Sequence, residues 1–229
     1  MASNYKLTYN VDIVLCIDCT GSMGDIIERV KMNAINFHID LMNAMEEKNR
    51  RITQLRVRIV AFRDYIADGD KAMMTTRFFK LPEEIEEFEQ SVLSLKADGG
   101  GDDPEDGLEA LAYAIKSDWD TSATKRRQVI VVWTDAPTHN LGFAAKSPYY
   151  PKEMPRDLAE LHDWWEGTAQ RSGYVDNNAK RLIMYAPDLP DWNIISSTWG
   201  KTIYFPSKAG EGLEEYEYKE IIDVIANSV

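Results

Sequence analysis

Four runs of apolar residues set the strongest constraint on how this chain can fold. They cover residues 11–18, 55–62, 129–134 and 181–186, and together they are rich in Val and Ile without a strict alternation of apolar and polar positions. Such runs are typical of parallel strands that are buried on both faces. Segments with helical spacing separate them, so the sequence predicts alternating strands and helices around a parallel sheet.

Two weaker runs complete the predicted sheet. A short strand is expected near Thr76–Leu81 and a late one near Thr202–Phe205, which brings the total to about six strands. The resulting fold class is α/β, a Rossmann-like, doubly wound and mostly parallel sheet with helices on both faces.

Apolar spacing and proline positions predict the helices. One long helix is expected over Ile26–Met45 and a last one over Leu213–Ile225. Pro82 and Pro104 each precede an acidic segment and then helical apolar spacing, so each is expected to open a helix.

Length and composition predict a single domain over residues 1–229. The 26.2 kDa chain is 44% hydrophobic, enough for a full core, and it shows no internal repeat, low-complexity tract or linker. Residues 136–178 form a longer connection than a crossover needs, and such long connections are usually functional when they are not disordered. Within it, residues 158–165 are expected to form a packed helix, whereas Pro137–Pro155 is the better candidate for a contact surface.

Three segments rich in oxygen ligands follow or connect the predicted strands. The first reads Asp-Cys-Thr-Gly-Ser-Met-Gly-Asp at 18–25, the second Gly-Gly-Gly-Asp-Asp-Pro-Glu-Asp at 99–106, and the third ends an apolar run at Asp135. In an open parallel sheet, ligands bind beyond the carboxyl ends of the strands, so the three segments are expected to meet at one edge. Carboxylates and hydroxyls suit Mg²⁺, Mn²⁺ or Ca²⁺ rather than zinc or copper.

These segments resemble the von Willebrand factor type A (vWA) family, whose metal-ion-dependent adhesion site (MIDAS) has the pattern D-x-[ST]-x-S, then Thr or Asp, then Asp. The stretches AFRDY, ADGGGDDPEDGLEAL and TDAPTH are similar to the vWA domains of alpha-kinase-associated and stand-alone bacterial proteins. The resemblance covers nearly the whole chain.

The resemblance implies a metal site made of five residues and a protein partner. Its metal residues would be Asp18, Thr20, Ser22, Asp102 and Asp135, holding Mg²⁺, or Mn²⁺ or Ca²⁺, with a coordination position left for a carboxylate of the partner. Many relatives have Thr where this chain has Asp102. The extra negative charge should hold the ion more firmly and weaken its pull on an acidic partner.

Other polar residues near the segments have structural explanations at this stage. Asp103, Glu105 and Asp106 flank a predicted helix start and are expected to cap it rather than bind metal. Arg63 and Asp64 are expected to form an ion pair.

Two further residue types raise functional questions of their own. His139, four residues after Asp135, could approach the site, but no second histidine lies beside it. Cys16 and Cys19 have C-x-x-C spacing, but an offset of three along a strand points their side chains to opposite faces, so they are expected to be structural rather than a redox pair.

Charge and hydropathy narrow the classes of partner. A net charge of −12 argues against nucleic acid and anionic membranes as main partners, because such surfaces are bound through clustered Lys and Arg. The sequence shows neither a long apolar span nor a basic start followed by an apolar stretch, so a cytoplasmic location is expected.

Three functions fit this sequence. The leading hypothesis is a non-enzymatic, cation-dependent protein-interaction module, an intracellular scaffold or signalling protein. A Mg²⁺-dependent hydrolase or phosphatase with Asp18 as the nucleophile is the enzymatic alternative, although Thr20 stands where such enzymes need a second Asp. The third is a scaffold that binds its partners without metal; the oligomeric state is left open.

Overall fold

A mostly parallel sheet, with seven strands in the part of the chain that the structure describes, organises the fold. The computed structural model describes residues 7–34, 36–101, 103–210 and 217–229. In chain order the strands are β1 (Leu7–Asp18), β2 (Arg50–Phe62), β3 (Met73–Thr75), β4 (Phe79–Leu81), β5 (Arg126–Trp133), β6 (Lys180–Pro187) and β7 (Thr202–Ser207).

The strand order places the first predicted strand at the centre. The sheet runs β3-β2-β1-β5-β6-β7, and β4 also pairs with β2. β3 and β4 are antiparallel to β2, and the other neighbours are parallel. The prediction of about six strands misses one, because the segment between β2 and the next helix holds two three-residue strands instead of one.

Within the described ranges, seven helices cover the two faces of this sheet, as a doubly wound fold requires. They are α1 (Gly24–Ala34), α2 (Phe37–Glu47), α3 (Ile85–Leu93), α4 (Gly107–Ile115), α5 (Leu158–Glu166), α6 (Pro190–Thr198) and α7 (Tyr218–Ser228). α1, α2, α3 and α7 pack on one face, and α4, α5 and α6 pack on the other.

Alternate residues of β1 feed the two core layers. Val11, Ile13, Leu15 and Ile17 belong to the layer under α1 and α7, whereas Val14 and Cys16, on β1, point into the layer under α4. Because successive strand residues face opposite sides, a strand with apolar residues at both parities is buried on both faces. The predicted α/β, Rossmann-like fold is confirmed.

The single helix predicted over Ile26–Met45 is wrong, because two helices cover that range. Asn33 donates its side-chain amide to the carbonyl of Arg29 at 2.8 Å, and Asn36 N donates to the carbonyl of Asn33 at 3.1 Å. Asn side chains compete with the helical backbone for such bonds, which favours a turn.

Both proline-initiated helices begin later than predicted. α3 begins three residues after Pro82, and α4 begins three residues after Pro104. Before α4, Glu105 forms an isolated parallel bridge with Thr138. That pairing holds residue 105 in an extended conformation, so α4 starts only at Gly107. The predicted start of the last helix at Leu213 lies in the segment outside the described residues.

Candidate cation site

Two adjacent parallel strands deliver carboxylates to the same edge of the sheet. β1 ends at Asp18, and β5 is followed at once by Thr134 and Asp135. The two strands are in register, with Ile17 opposite Trp133. Parallel pairing therefore brings two of the predicted metal residues to one edge, as the sequence suggested.

Asp18 is held by hydroxyls on both of its carboxylate oxygens. Its Oδ1 accepts bonds from the backbone N–H of Thr20 at 2.9 Å and from the Thr20 hydroxyl at 2.6 Å, and its Oδ2 accepts from the Thr134 hydroxyl at 2.7 Å. All three residues are buried. Burial raises the pKa of Asp18 to about 6, although these hydrogen bonds partly oppose the shift.

Ser22 links the first predicted segment to the third. It is exposed at the end of the first loop, and its hydroxyl donates to Asp135 Oδ1 at 2.8 Å, whereas Asp135 is buried. A single 3-10 turn over Gly21–Met23 positions the serine. Four of the five predicted metal residues, Asp18, Thr20, Ser22 and Asp135, are thus brought together.

The fifth predicted residue, Asp102, lies outside the described residues. The glycines just before it approach the first loop, because a Cβ on Gly100 would meet the Thr20 side chain at 3.0 Å. Gly99 and Gly100 have φ of 76° and 74°, and a Cβ on Gly99 would meet a carboxylate oxygen of Asp68 at 1.9 Å. Glycine is therefore needed where the second segment passes the first.

The acidic residues before and within α4 do not cap the helix, so that prediction is wrong for Glu105 and Asp106. Asp106 occupies the N-cap position without a side-chain capping bond, and its Oδ2 accepts instead from the backbone N–H of Tyr65 at 2.6 Å. Burial raises the pKa of Asp106 to about 7. Instead of capping α4, the Asp106 side chain bonds to the loop that follows β2.

Buried carboxylates without a cationic partner are concentrated beside the site. Within the described part of the chain, Glu105 Oε2, Asp106 Oδ1 and Glu109 Oε2 are buried and have no hydrogen-bond partner. Burial, followed by the charges of Asp18 and Asp64, raises the pKa of Glu105 to about 9. Burial also raises the pKa of Glu109. Burial therefore favours the protonated form of these three carboxyl groups.

Arg63 and Asp64 do not pair with each other, contrary to expectation. The Arg63 guanidinium donates to the backbone carbonyls of Cys19, Lys71 and Lys96 at 3.0, 3.1 and 2.8 Å. It therefore ties together the loops around the site.

Asp64 instead faces His139. His139 Nε2 lies 3.2 Å from Asp64 Oδ2, and its ring stacks on Phe143 with centroids 4.0 Å apart. The other Asp64 oxygen accepts from the backbone N–H groups of Ile66 and Ala67. His139 thus approaches the site edge, as its spacing suggested, and connects Asp64 to the insert, the long connection over residues 136–178.

The first part of the insert packs beside the site. The Tyr150 hydroxyl donates to Glu109 Oε1 at 2.7 Å, and the Tyr65 and Tyr150 rings meet edge-on at 5.4 Å. The helix predicted over residues 158–165 is confirmed as α5, whose Trp164 and Trp165 lie in the core layer under α4. The use of Pro137–Pro155 as a contact surface stays a prediction.

Both cysteines are structural, as predicted. Cys16 and Cys19 are free and buried, and they belong to opposite core layers. Burial raises the pKa of each thiol to about 12, which disfavours the reactive thiolate.

The donors at this edge fit a hard divalent cation. Asp18, Thr20, Ser22 and Asp135 offer only oxygen, the ligand type that Mg²⁺ and Ca²⁺ prefer. The buried Oε2 of Glu105, which has no hydrogen-bond partner within the described residues, adds a further carboxyl oxygen at this edge. Across the described ranges, no three side chains of His, Cys, Asp and Glu are arranged to hold a metal by themselves. Sequence reasoning assigned no role to Thr134 and expected Glu105 to cap a helix, because neither residue belongs to the three-part pattern of the family.

None of the helices in the described ranges has the length and apolar character needed to cross a membrane.

Curated relatives are larger proteins. The alpha-protein kinase vwkA of Dictyostelium discoideum is 26% identical over 148 residues, covering 65% of this chain and 22% of the kinase. A mimivirus protein named as ariadne-like RING finger protein R811, from Acanthamoeba polyphaga mimivirus, is 25% identical over 210 residues, covering 86% of this chain and 18% of its own. This chain thus spans about a fifth of each relative's length.

Solved structures share the fold at low sequence identity. The pilus adhesin SpaC from Lactobacillus rhamnosus GG superposes with a TM-score of 0.55 at 13% identity, over 96% of this chain and 30% of the adhesin. A von Willebrand factor type A protein from Catenulispora acidiphila gives a TM-score of 0.52 at 16% identity, over 94% of this chain and 42% of that one.

The family model described as von Willebrand factor A domain matches residues 12–144, which include the second part of β1, from Asp12 to Asp18, and Asp135. This match covers more than half of the chain. The chain belongs to the von Willebrand factor A domain family, a family of protein-interaction modules.

Proposed function

We propose that this chain is a non-enzymatic protein-interaction module that binds its partner through a divalent cation. The cation is Mg²⁺, or Mn²⁺ or Ca²⁺, and the residues that hold it are Asp18, Thr20, Ser22, Asp102 and Asp135. The observation that carries the proposal is the 2.8 Å bond from the exposed Ser22 hydroxyl to the buried Asp135, which joins the first and third loops at one sheet edge.

A bound divalent cation would supply a positive charge and a coordination position open to an oxygen of the partner. Thr20 and Thr134 orient the Asp18 carboxylate from opposite sides, so it is prepared to balance that charge. The partner's oxygen would come from a carboxylate or from a less strongly anionic group, because Asp102 adds charge to the loop. This favours a protein partner over nucleic acid or a membrane.

We further propose an intracellular scaffold or signalling role in the cytoplasm. Both cysteines are free, which suits a reducing compartment. One curated relative is named as a protein kinase, which makes a signalling context the natural first place to search for partners.

The test is titration calorimetry of chelator-stripped protein with Mg²⁺, Mn²⁺ and Ca²⁺. We expect saturable binding by the natural protein, loss of binding in Ser22→Ala and in an Asp18→Ala, Ser22→Ala double variant, and no phosphatase activity in any sample. Ser22 is exposed, so its substitution should leave the fold intact.

Asp25→Asn is the matched control. Asp25 is exposed in the first turn of α1, three residues after Ser22, so its substitution removes a nearby negative charge without touching the proposed ligands. The variant should bind the cation normally. No binding by the natural protein would favour a metal-independent scaffold, and phosphatase turnover lost in the double variant would favour a hydrolase.

A further inference from the structure

The backbone at Glu105 is fixed between two of the three site segments. Glu105 N donates to the carbonyl of Pro137 at 2.9 Å, and His139 N donates to the carbonyl of Glu105 at 2.8 Å. These bonds join the end of the Gly-rich loop to the segment that follows Asp135. The direction of the Glu105 side chain is therefore set by paired backbone on both sides.

That side chain points toward the first loop. A Cβ placed on Gly100 would lie 2.8 Å from Glu105 Oε1 and 3.0 Å from the Thr20 methyl carbon, so the carboxylate and Thr20 flank the same glycine. Among charged groups, Asp18 acts most strongly on Glu105. The carboxylate is thus beside the residues proposed to hold the cation.

Glu105 is a buried acidic residue with an oxygen that no hydrogen-bond donor of the described residues satisfies. The residue is 3% exposed, and its Oε2 has no hydrogen-bond partner within the described ranges. The charged groups that act most strongly on it, after Asp18, are Asp64, Asp68 and Asp106, which are all acidic. Burying an ionised carboxylate among like charges costs free energy, so burial favours the protonated form, and a cation bound nearby would favour the ionised form.

We propose that Glu105 supplies a further carboxylate to the cation site, in addition to the five motif residues. This inference rests on the proposed cation-binding function. A site with this additional carboxylate would hold a hard divalent ion more firmly than the motif residues alone, because ligand charge strengthens such binding.

The experiment measures the dissociation constants of Mg²⁺ and Mn²⁺ by titration calorimetry on the natural protein, Glu105→Gln and Glu109→Gln. Glu109 is the matched control: it is a buried glutamate four residues further on, and its Oε1 accepts the Tyr150 hydroxyl. Melting curves in chelator check that each variant is folded.

We expect Glu105→Gln to weaken cation binding by about 10- to 100-fold, the usual effect of removing a group that supports a metal site. Glu109→Gln should change it by less than about threefold, because the Glu109 carboxyl is bonded to the Tyr150 hydroxyl and the backbone N–H of Gly142 and to none of the proposed metal residues. Glu105→Asp keeps the charge but draws it back by one methylene, so it should also weaken binding.

Three results would overturn the inference. Binding by Glu105→Gln equal to that of the natural protein would remove Glu105 from the site while leaving the proposed function intact. An equal loss in Glu109→Gln would show that only the overall charge matters. No binding by the natural protein would overturn both the proposed function and this inference.

Discussion

Replacing Thr134 with valine removes a buried hydroxyl from the centre of the site while keeping the side-chain shape. In the native protein this hydroxyl donates to Asp18 Oδ2 at 2.7 Å and accepts from the backbone N–H of Ala136 at 3.1 Å. Thr134 is fully buried, so water cannot replace either bond. The substitution should therefore destabilise the fold at the same point where it disturbs the site.

The expected cost follows from the two lost bonds. A hydrogen bond to a charged group contributes about 1.5–3 kcal/mol, and an unsatisfied buried N–H adds about 1 kcal/mol. The free energy of unfolding should fall by about 2–4 kcal/mol for Thr134→Val. A loss of about 3 kcal/mol corresponds to a melting temperature lower by about 6–12 °C in a protein of this length.

Urea unfolding at pH 7.5 in chelator measures this change, with Thr202→Val as the control. Thr202 begins β7 at the opposite edge of the sheet, and within the described residues its buried hydroxyl has no hydrogen-bond partner. Thr202→Val should therefore leave stability unchanged or raise it. The reasoning would be refuted if Thr134→Val cost under about 0.5 kcal/mol, the range of a neutral surface substitution, or no more than the control.

Three further outcomes are expected. In chelator, the melting temperature should fall as the pH rises from 5.5 to 8.5. The raised pKa values of Glu105 and Asp106, about 9 and 7, make the folded chain bind more protons than the unfolded chain in this window. A melting temperature that does not change with pH, or a pH dependence that is not reduced in Glu105→Gln, would contradict this. Cys16 and Cys19 should resist thiol reagents in the native protein and react after unfolding. The number of reactive thiols is measured with a chromogenic disulfide reagent, and rapid labelling of the native protein would show that the thiols are accessible. Lys180→Met should lower the free energy of unfolding by about 1–3 kcal/mol, because the buried Lys180 ammonium donates to the Glu166 carboxylate and to the backbone carbonyl of Trp165. Unchanged unfolding in urea would show that these bonds contribute nothing to stability.

The sheet was predictable because its strands are buried on both faces. The apolar runs at 11–18 and 129–134 each mark a central strand, and both strands end where predicted to within one residue. Less visible were β3 and β4, because three-residue strands carry too few residues for a pattern. The break between α1 and α2 was also hidden, since the apolar spacing continues across it and only local Asn hydrogen bonds cause the turn.

The site was predictable where it depends on strand ends and not where it depends on side-chain direction. Asp18 and Asp135 follow apolar runs, so their meeting at one edge follows from parallel pairing alone. Glu105 and Asp106 looked like helix caps, because no sequence pattern reveals that residue 105 pairs with the segment after Asp135. The partnership of Asp64 with His139 likewise depends on a contact between residues 75 positions apart.

The parallel arrangement of the central strands also gives an experimenter a convenient handle. The carboxyl ends of these strands share one edge of the sheet, so the segment before β5 lies at the opposite edge. Exposed Thr124 lies in that segment, about 25–30 Å from Asp135 at the usual rise along a strand. Since both native thiols are buried, a cysteine introduced at Thr124 would be the accessible one within the described chain. A dye or surface tether attached there would leave the opposite edge free for a binding partner.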